Sequence, residues 1–360
     1  MFSSIFSTQI WLNVISIIGL LYSLYIMTLS NNKLLRGTNN NVLSFIFVIF
    51  VTLYIGTRPI WCYEDTYLYT QIFNLVQRGE WVSIKGFAED PFFLAVEYIC
   101  LELTNASGWL LVIAVFYVIG MAIASLRWLP RHYFLILIFC FTAFSFWGYA
   151  TNGIRNGMST SIVLVGLSFF CKNKIQTILG YSLLLLGMAT HKTVGVVIVA
   201  ASAALFLKNT NTNLSIWLSC IIFSLLFQDY FKELFIWLSD DDRMAHYLNM
   251  ETSTDKFSTS GFRWDFILYS AAPILLGWYA IVKKGITDKT YMFLLHTYIF
   301  ANAFWILINT VAYSNRFAYL SWFMYPILLA YPLAKFNIFK HQGLVTGLIL
   351  IACITFTYIM

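Results

Sequence analysis

Charge is what this chain has least of. Only 11% of its 360 residues are Asp, Glu, Lys or Arg, less than half the roughly 25% usual for a soluble domain. The shortage excludes an ordinary water-facing surface and leaves lipid as the main solvent. Metal-ligand spacing is missing too. The six cysteines, at positions 62, 100, 140, 171, 220 and 353, form no CxxC-like pair, and no metal or cofactor is expected. A bridge between Cys62 and Cys100 is the one pairing left open, against the simpler expectation of free buried thiols. Period-two alternation is absent from the apolar segments, which excludes an outer-membrane barrel. No internal repeat, low-complexity stretch or soluble domain is visible. The net charge of +6 is spread over many short loops and does not form the basic stripe of a nucleic-acid binder.

What is abundant is apolar sequence, 60% of the chain. Runs of about 15 to 25 residues recur from end to end, and a bilayer core asks for about 20 helical residues per crossing. The fold class expected is all-α: a polytopic membrane protein forming one transmembrane domain over 1–360. Its twelve spans are near 8–29, 41–56, 109–126, 132–147, 156–171, 176–190, 194–208, 214–238, 264–282, 290–310, 318–333 and 343–360. The first run follows a start with no basic residue and no small-residue cleavage pattern, so it reads as a retained span. Residues 91–104 are apolar but short and carry Glu97 and Glu102, so they read as a re-entrant or interfacial helix.

Cations set the orientation, because short cytoplasmic loops are enriched in Lys and Arg. Alternate loops hold Lys33 and Arg36, Arg127 and Arg131, Lys172 and Lys174, Lys208, then Lys283, Lys284 and Lys289, and finally Lys335 and Lys340. Of the sixteen acids, only Asp288 falls on that side. Two long segments, 57–108 and 239–263, lie on the other face and mix acids, bases and aromatics. Long loops of this kind carry function, and the same composition is also ordinary for a membrane interface.

Three short outer turns break the charge rule. Arg155 sits in a Gly- and Asn-broken turn from Gly148 to Gly157, His191 and Lys192 sit between two short spans, and Arg316 sits in Tyr313–Tyr319. A single such cation is explained by snorkelling to head groups. Three at one face suggest a site for an anion, with phosphate or diphosphate the obvious ligand, because the Arg fork matches phosphate oxygens. If the diphosphate leaves, the same cations stabilise the developing charge. A base, where one is needed, would be His191 or a carboxylate: Asp65 or Glu64, then Asp90. Surface ion pairing is the competing account of those acids.

At these residues the chain resembles the EpsG/Wzy group of bacterial polysaccharide polymerases. The resemblance rests on Arg58, Asp65 and Tyr69; Asp90 before Pro91; Asn152, Ile154 and Arg155; His191, Lys192 and Thr193; and Arg316 with Phe317. Their order and rough spacing agree over 58–317, though each element is short. Gly166, eleven positions after Arg155, adds a weak match to a Wzy arginine motif. Tyr63 and Glu64 stand where a glycine is usual before the Asp, and Asp90 stands where Glu is usual. The resemblance implies a glycosyltransferase at the outer face of the bacterial cytoplasmic membrane. It would join oligosaccharide repeat units carried on undecaprenyl diphosphate, in the making of O-antigen, capsule or exopolysaccharide. Asp65, Arg155, His191 and Arg316 would be catalytic. Arg58, Glu64, Tyr69, Asp90, Asn152, Lys192 and Arg263 would bind substrate. Partners implied are the lipid-linked glycan, membrane lipid, a chain-length regulator and a flippase, with no nucleic acid. A flippase or other transporter, and another outer-face ligase or glycosyltransferase, are the alternatives. A transporter would be expected to show broken polar helices at mid-membrane or an internal pseudo-repeat.

Overall fold

The computed structural model describes residues 4–37, 41–80, 90–231, 233, 261–310 and 314–359. Among them every regular element is helical and no strand occurs. Most of the second long segment, 239–260, and residues 81–89 of the first, with Trp81, Lys85 and Glu89, lie outside the described residues.

The helices group into two compact units: residues 1–195 with 330–360, and residues 196–329. In the first unit the helices are α1 Ser4–Met27, α2 Asn31–Arg36, α3 Asn41–Gly56, α4 Glu64–Gln77, α5 Pro91–Leu103 and α6 Ala106–Trp128. They continue with α7 Tyr133–Phe141, α8 Phe144–Thr151, α9 Ile154–Leu167 and α10 Lys174–Thr190. The second unit holds most of α11 Gly195–Phe206, then α12 Thr210–Leu226, α13 Trp264–Trp278, α14 Lys289–Leu307 and α15 Asn315–Trp322. Helix α16, Tyr325–Lys335, leads back to the first unit, where α17 Gln342–Ile359 packs along α1.

Among the described residues six helical stretches are long and apolar enough to cross a bilayer, seven if α7 and α8, bent by 71°, count as one. Three shorter apolar helices, Asn41–Gly56, Lys192–Phe206 and Thr210–Leu226, fall below that length. Twelve full crossings are therefore not established. The expected span at 132–147 is two short helices, because Thr142 caps the first and Ala143 is extended. The expected span at 318–333 lies within Asn315–Lys335, one of the six crossing-length stretches. The described residues of segment 57–108 include α4, α5 and the start of α6. None of the six cysteines is joined in a disulfide.

Helix α6 is the axis of the first unit, with α3 on one side and α9 on the other, and α9 packs in turn on α10. The α9–α10 contact is close because it is lined by small residues. A Cβ on Gly187 would stand 2.7 Å from Val163 Cγ2, and one on Gly166 would stand 3.0 Å from the Gly180 carbonyl. Ser159 Oγ donates to the Gly187 carbonyl at 2.7 Å, locking the register. Gly166 thus has a packing reason of its own, independent of its distance from Arg155.

The basic turns of this unit gather at one end. Asn31 Nδ2 donates to Asn337 and to the Phe339 and Lys340 carbonyls, while Gln342 N donates to Asn31 Oδ1. His132 Nε2 meets the Leu34 carbonyl at 2.9 Å, and Arg127 Nε donates to Ser168 Oγ at 2.8 Å. The loops carrying Lys33, Arg36, Arg127, Arg131, Lys335 and Lys340 are thus tied in two hydrogen-bonded groups, with Lys172 and Lys174 just beyond Ser168. Helix α9, about 21 Å long at 1.5 Å per residue, runs from this end to the opposite one, where Arg155 sits.

Candidate active site

Three helix ends meet opposite the basic turns, and each supplies one polar group. Asp90 is the N-cap of α5, and Pro91 at the first helical position fixes where that helix begins. An Asp at this position ordinarily accepts from its own helix. Here its side chain makes no cap hydrogen bond and turns to two other helix ends instead. Arg155 lies in the first turn of α9, and His191 is the C-cap of α10, with its backbone N–H on the Gly187 carbonyl.

The carboxylate collects three donors. Arg155 Nη1 donates to Asp90 Oδ2 at 2.9 Å, His191 Nδ1 approaches the same oxygen at 3.4 Å, and Lys192 N–H donates to Oδ1 at 3.1 Å. Asp90 is buried at 6% exposure, and the Arg155 and His191 side chains keep 17% and 15% open. Burial pushes the Asp90 carboxyl up, but His191, Arg155 and the Lys192 N–H together hold it below its ordinary range. Burial pushes the imidazole down; Asp90 opposes that and the Arg155 charge reinforces it. The state these forces favour is an ionised Asp90 accepting from Nδ1–H of a neutral His191. Nε2 is then left as a proton acceptor.

Tyr69 of α4 closes one side. Arg155 lies over its ring, 5.5 Å from the centroid, a cation–π contact. Burial drives the phenol up to about 12, with the Arg155 charge opposing, so it stays a hydroxyl. Asp65 is one turn earlier on α4 and close enough to act on that phenol. Thr193 Oγ1 donates to Asn156 Oδ1 at 3.4 Å, tying the 191–194 turn to α9.

Four of the expected residues, Asp90, Arg155, His191 and Lys192, therefore form one cluster, with Tyr69 and Asp65 beside it. Arg58 is used differently. It is buried, its Nη1 donates to the Ile55 carbonyl and its Nη2 to Thr66 Oγ1, each at 2.8 Å, and Thr66 Oγ1 in turn reaches the Thr151 carbonyl. Burial lowers this guanidinium to about 10, still a cation at neutral pH. It fastens α3, α4 and α8 and so positions α4 with its Tyr69. Glu64 and Asn152 are exposed on the first unit. Arg263 and Arg316 belong to the second. Arg263 is engaged by Asp265 at 3.0 and 2.6 Å and lies over the Phe266 ring. Arg316 is exposed in the first turn of α15.

Two features escaped the sequence reading. The sequence marks Glu97 only as a charge that argues against a span, yet it is buried on α5, seven residues from Asp90. A polar network around Asn302 is buried in the second unit, and neutral residues scattered over four helices gave no local signal. Among the described residues no group of His, Cys, Asp and Glu has the arrangement to hold a metal.

No curated protein and no solved structure matches the chain. The model of the EpsG family matches residues 41–360, from α3 to the last helix, taking in every residue of the cluster. The chain is an integral membrane protein that belongs to the EpsG family.

Proposed function

We propose that the protein is a polysaccharide polymerase that joins lipid-diphosphate-linked oligosaccharide repeat units by glycosyl transfer, with the Asp90–Arg155–His191 cluster as its reaction centre. The observation that carries this reading is the three-donor grip on Asp90, which leaves a neutral imidazole with one free nitrogen beside a guanidinium that has donors to spare.

In the proposed step the acceptor sugar hydroxyl gives its proton to His191 Nε2 as its oxygen bonds to the anomeric carbon of the donor. The bond from that carbon to the diphosphate oxygen breaks, and its electron pair leaves with the diphosphate. Arg155 stabilises the charge that develops there, and losing one such donor costs roughly 10²- to 10³-fold in rate. Asp90 holds the imidazole in the tautomer and orientation the step needs. Lys192 offers an exposed ammonium at the rim of the same cluster. Arg58 and Arg263 are omitted as diphosphate-holding groups because their donors are spent on Thr66 and Asp265. Undecaprenyl diphosphate is the carrier the family resemblance suggests. The cluster faces away from the cytoplasm in this reading, because the basic turns lie at the other end of α9.

The test is the glycan profile of cells carrying Arg155→Ala in place of the native gene. Loss of long chains, accumulation of single lipid-linked repeat units and a normal amount of membrane protein are expected. A normal chain-length ladder would remove Arg155 from the reaction. Single units trapped on the cytoplasmic face would point to a flippase instead.

A further inference from the structure

The turn that presents His191 is held from α9. His191 leaves the end of α10 in extended backbone, and a single turn of 3₁₀ helix, Lys192–Val194, follows before α11. A helix C-terminus leaves its last carbonyls short of partners, so an exit of this kind has little of its own to fix it. Two side chains of α9 supply the hold. Ser159 Oγ donates at 2.7 Å to the Gly187 carbonyl, the same carbonyl that accepts the His191 backbone N–H at 2.9 Å. Asn156 Oδ1 accepts from Thr193 Oγ1 at 3.4 Å.

Ser159 is one turn beyond Arg155, on the same face of α9 and about 6 Å along its axis. It reaches the α10 backbone because residue 187 is a glycine: a Cβ there would stand 2.7 Å from Val163 Cγ2 and 3.3 Å from the Ser159 carbonyl oxygen. The next two hydroxyls of α9 are used differently. Thr160 Oγ1 donates to the Asn156 carbonyl of its own helix at 2.8 Å, and Ser161 Oγ donates to the Tyr117 carbonyl on α6 at 2.5 Å. Of the three, Ser159 is the one linked to His191.

The tolerance at His191 is narrow. Its Nδ1 stands 3.4 Å from Asp90 Oδ2, at the long limit of a hydrogen bond, so a displacement of about half an ångström ends the contact. Ser159 is fully buried and does not meet a ligand. What its bond does is fix the backbone of His191 to the helix that carries Arg155.

We propose that Ser159, seconded by Asn156, is a positioning residue for His191: α9 grips the 187–193 turn so that the imidazole stays on Asp90 and in register with Arg155. The assignment rests on the reading of His191 as the proton acceptor, and it adds the groups that keep the free nitrogen aimed.

The test uses the full-length protein with isotope-labelled histidine nitrogens, in lipid nanodiscs at neutral pH, the His191 resonances being assigned by their loss in His191→Gln. The native imidazole shows a protonated Nδ1 and a bare Nε2. In Ser159→Ala the two tautomers mix, because Asp90 no longer holds Nδ1–H. Ser161→Ala loses an equivalent hydrogen bond on the other side of the same helix and keeps the native pattern. With lipid-linked repeat units extracted from cells lacking the gene as substrate, Ser159→Ala lowers kcat about tenfold with KM unchanged. In a His191→Gln background it has no further effect. Asn156→Ala, at a partly exposed position, lowers kcat about threefold with the same mixing of tautomers, and it carries the test if Ser159→Ala does not accumulate. A native tautomer pattern in both variants overturns the proposal, as does an equal loss of kcat in Ser159→Ala and Ser161→Ala. Mixed tautomers in Ser159→Ala, with a native protein that extends no chains, overturn the polymerase reading and leave the positioning of His191 standing.

Discussion

Two buried polar networks, one in each unit, are built in opposite ways. In the second unit Asn302 lies inside α14, fully buried, with every partner neutral. Its Nδ2 donates to Ser270 Oγ on α13 and to Ser321 Oγ on α15, each at 3.0 Å, and its Oδ1 accepts from Trp217 Nε1 on α12 at 2.8 Å. Trp322 Nε1 also donates to Ser270 Oγ, and Tyr298 OH to the Ser270 carbonyl. The network around Asp90 is charged, sits at helix ends and keeps part of its Arg and His surface open. In the first, each amide hydrogen-bonding group is answered by protein. In the second, an imidazole nitrogen and guanidinium donors remain for something else. Closure and neutrality characterise a scaffold, and an open charged cluster characterises a site.

Arg155→Ala breaks the comparison most severely if it is right. Glycan chain extension should fall roughly a thousandfold, the upper end for one electrostatic donor, while the protein survives because Asp90 keeps the His191 and Lys192 donors. Chain-length gels read the first and thermal unfolding in detergent reads the second. His191→Gln should cost roughly a hundredfold, the usual share of a general base. Its pH behaviour sharpens the point. Neutral His191 is the working form, so activity is present above its folded pKa and lost as pH falls through it, and that pKa lies below the ordinary 6.5. Asp90→Asn removes a charge that favours the imidazolium, so the acidic limb should move to still lower pH while the plateau drops. An acidic limb that moves upward would show that Asp90 is not His191's partner.

The two networks also differ in how far the sequence announced them. Arg155 and His191–Lys192 stood out because they broke a charge rule that the other loops obey, and cations among apolar spans are conspicuous one residue at a time. Asp90 was a lesser candidate, since an Asp before a Pro is also an ordinary helix start. Only the fold shows that its carboxylate leaves its own helix. Arg316 carried the same charge signal and lies in the second unit, while Arg58 and Arg263, drawn from the two long segments, are engaged by neighbours two to eight residues away, which spacing alone does not reveal. The all-helical class followed from composition. Helix lengths did not: hydropathy reads Thr142–Ala143 as continuous, whereas the chain bends there by 71°. Asn302, Ser270 and Ser321 are separately unremarkable polar residues in apolar spans, and become a network only when four helices meet.

Asn302→Leu tests the scaffold half of the contrast. Three interhelical hydrogen bonds disappear, and at about 0.6 kcal/mol each in membrane proteins the loss is about 2 kcal/mol. Lower thermal stability and lower protein level are expected, with unchanged activity per folded molecule in nanodiscs. A variant that is stable but inactive would mean that the closed network also takes part in the reaction.

The smallest effect belongs to a pair that mixes the two designs. Arg263 and Asp265 are charged and at a helix end, as at the Asp90 site, but they are engaged with each other two residues apart, and the Asp265 side chain is 45% exposed. Exposed ion pairs contribute little because water and salt screen them, so Arg263→Ala should change stability by less than about 0.5 kcal/mol. Chain extension should stay near the native level, since the guanidinium donors are already taken. Charge at a helix end would then be insufficient to mark a site, and the distinguishing property of the Asp90 cluster would be donors drawn from three helix ends with capacity left over. If Arg263→Ala instead stopped chain extension while Arg155→Ala did not, the anion-binding role would have to be moved to the second unit.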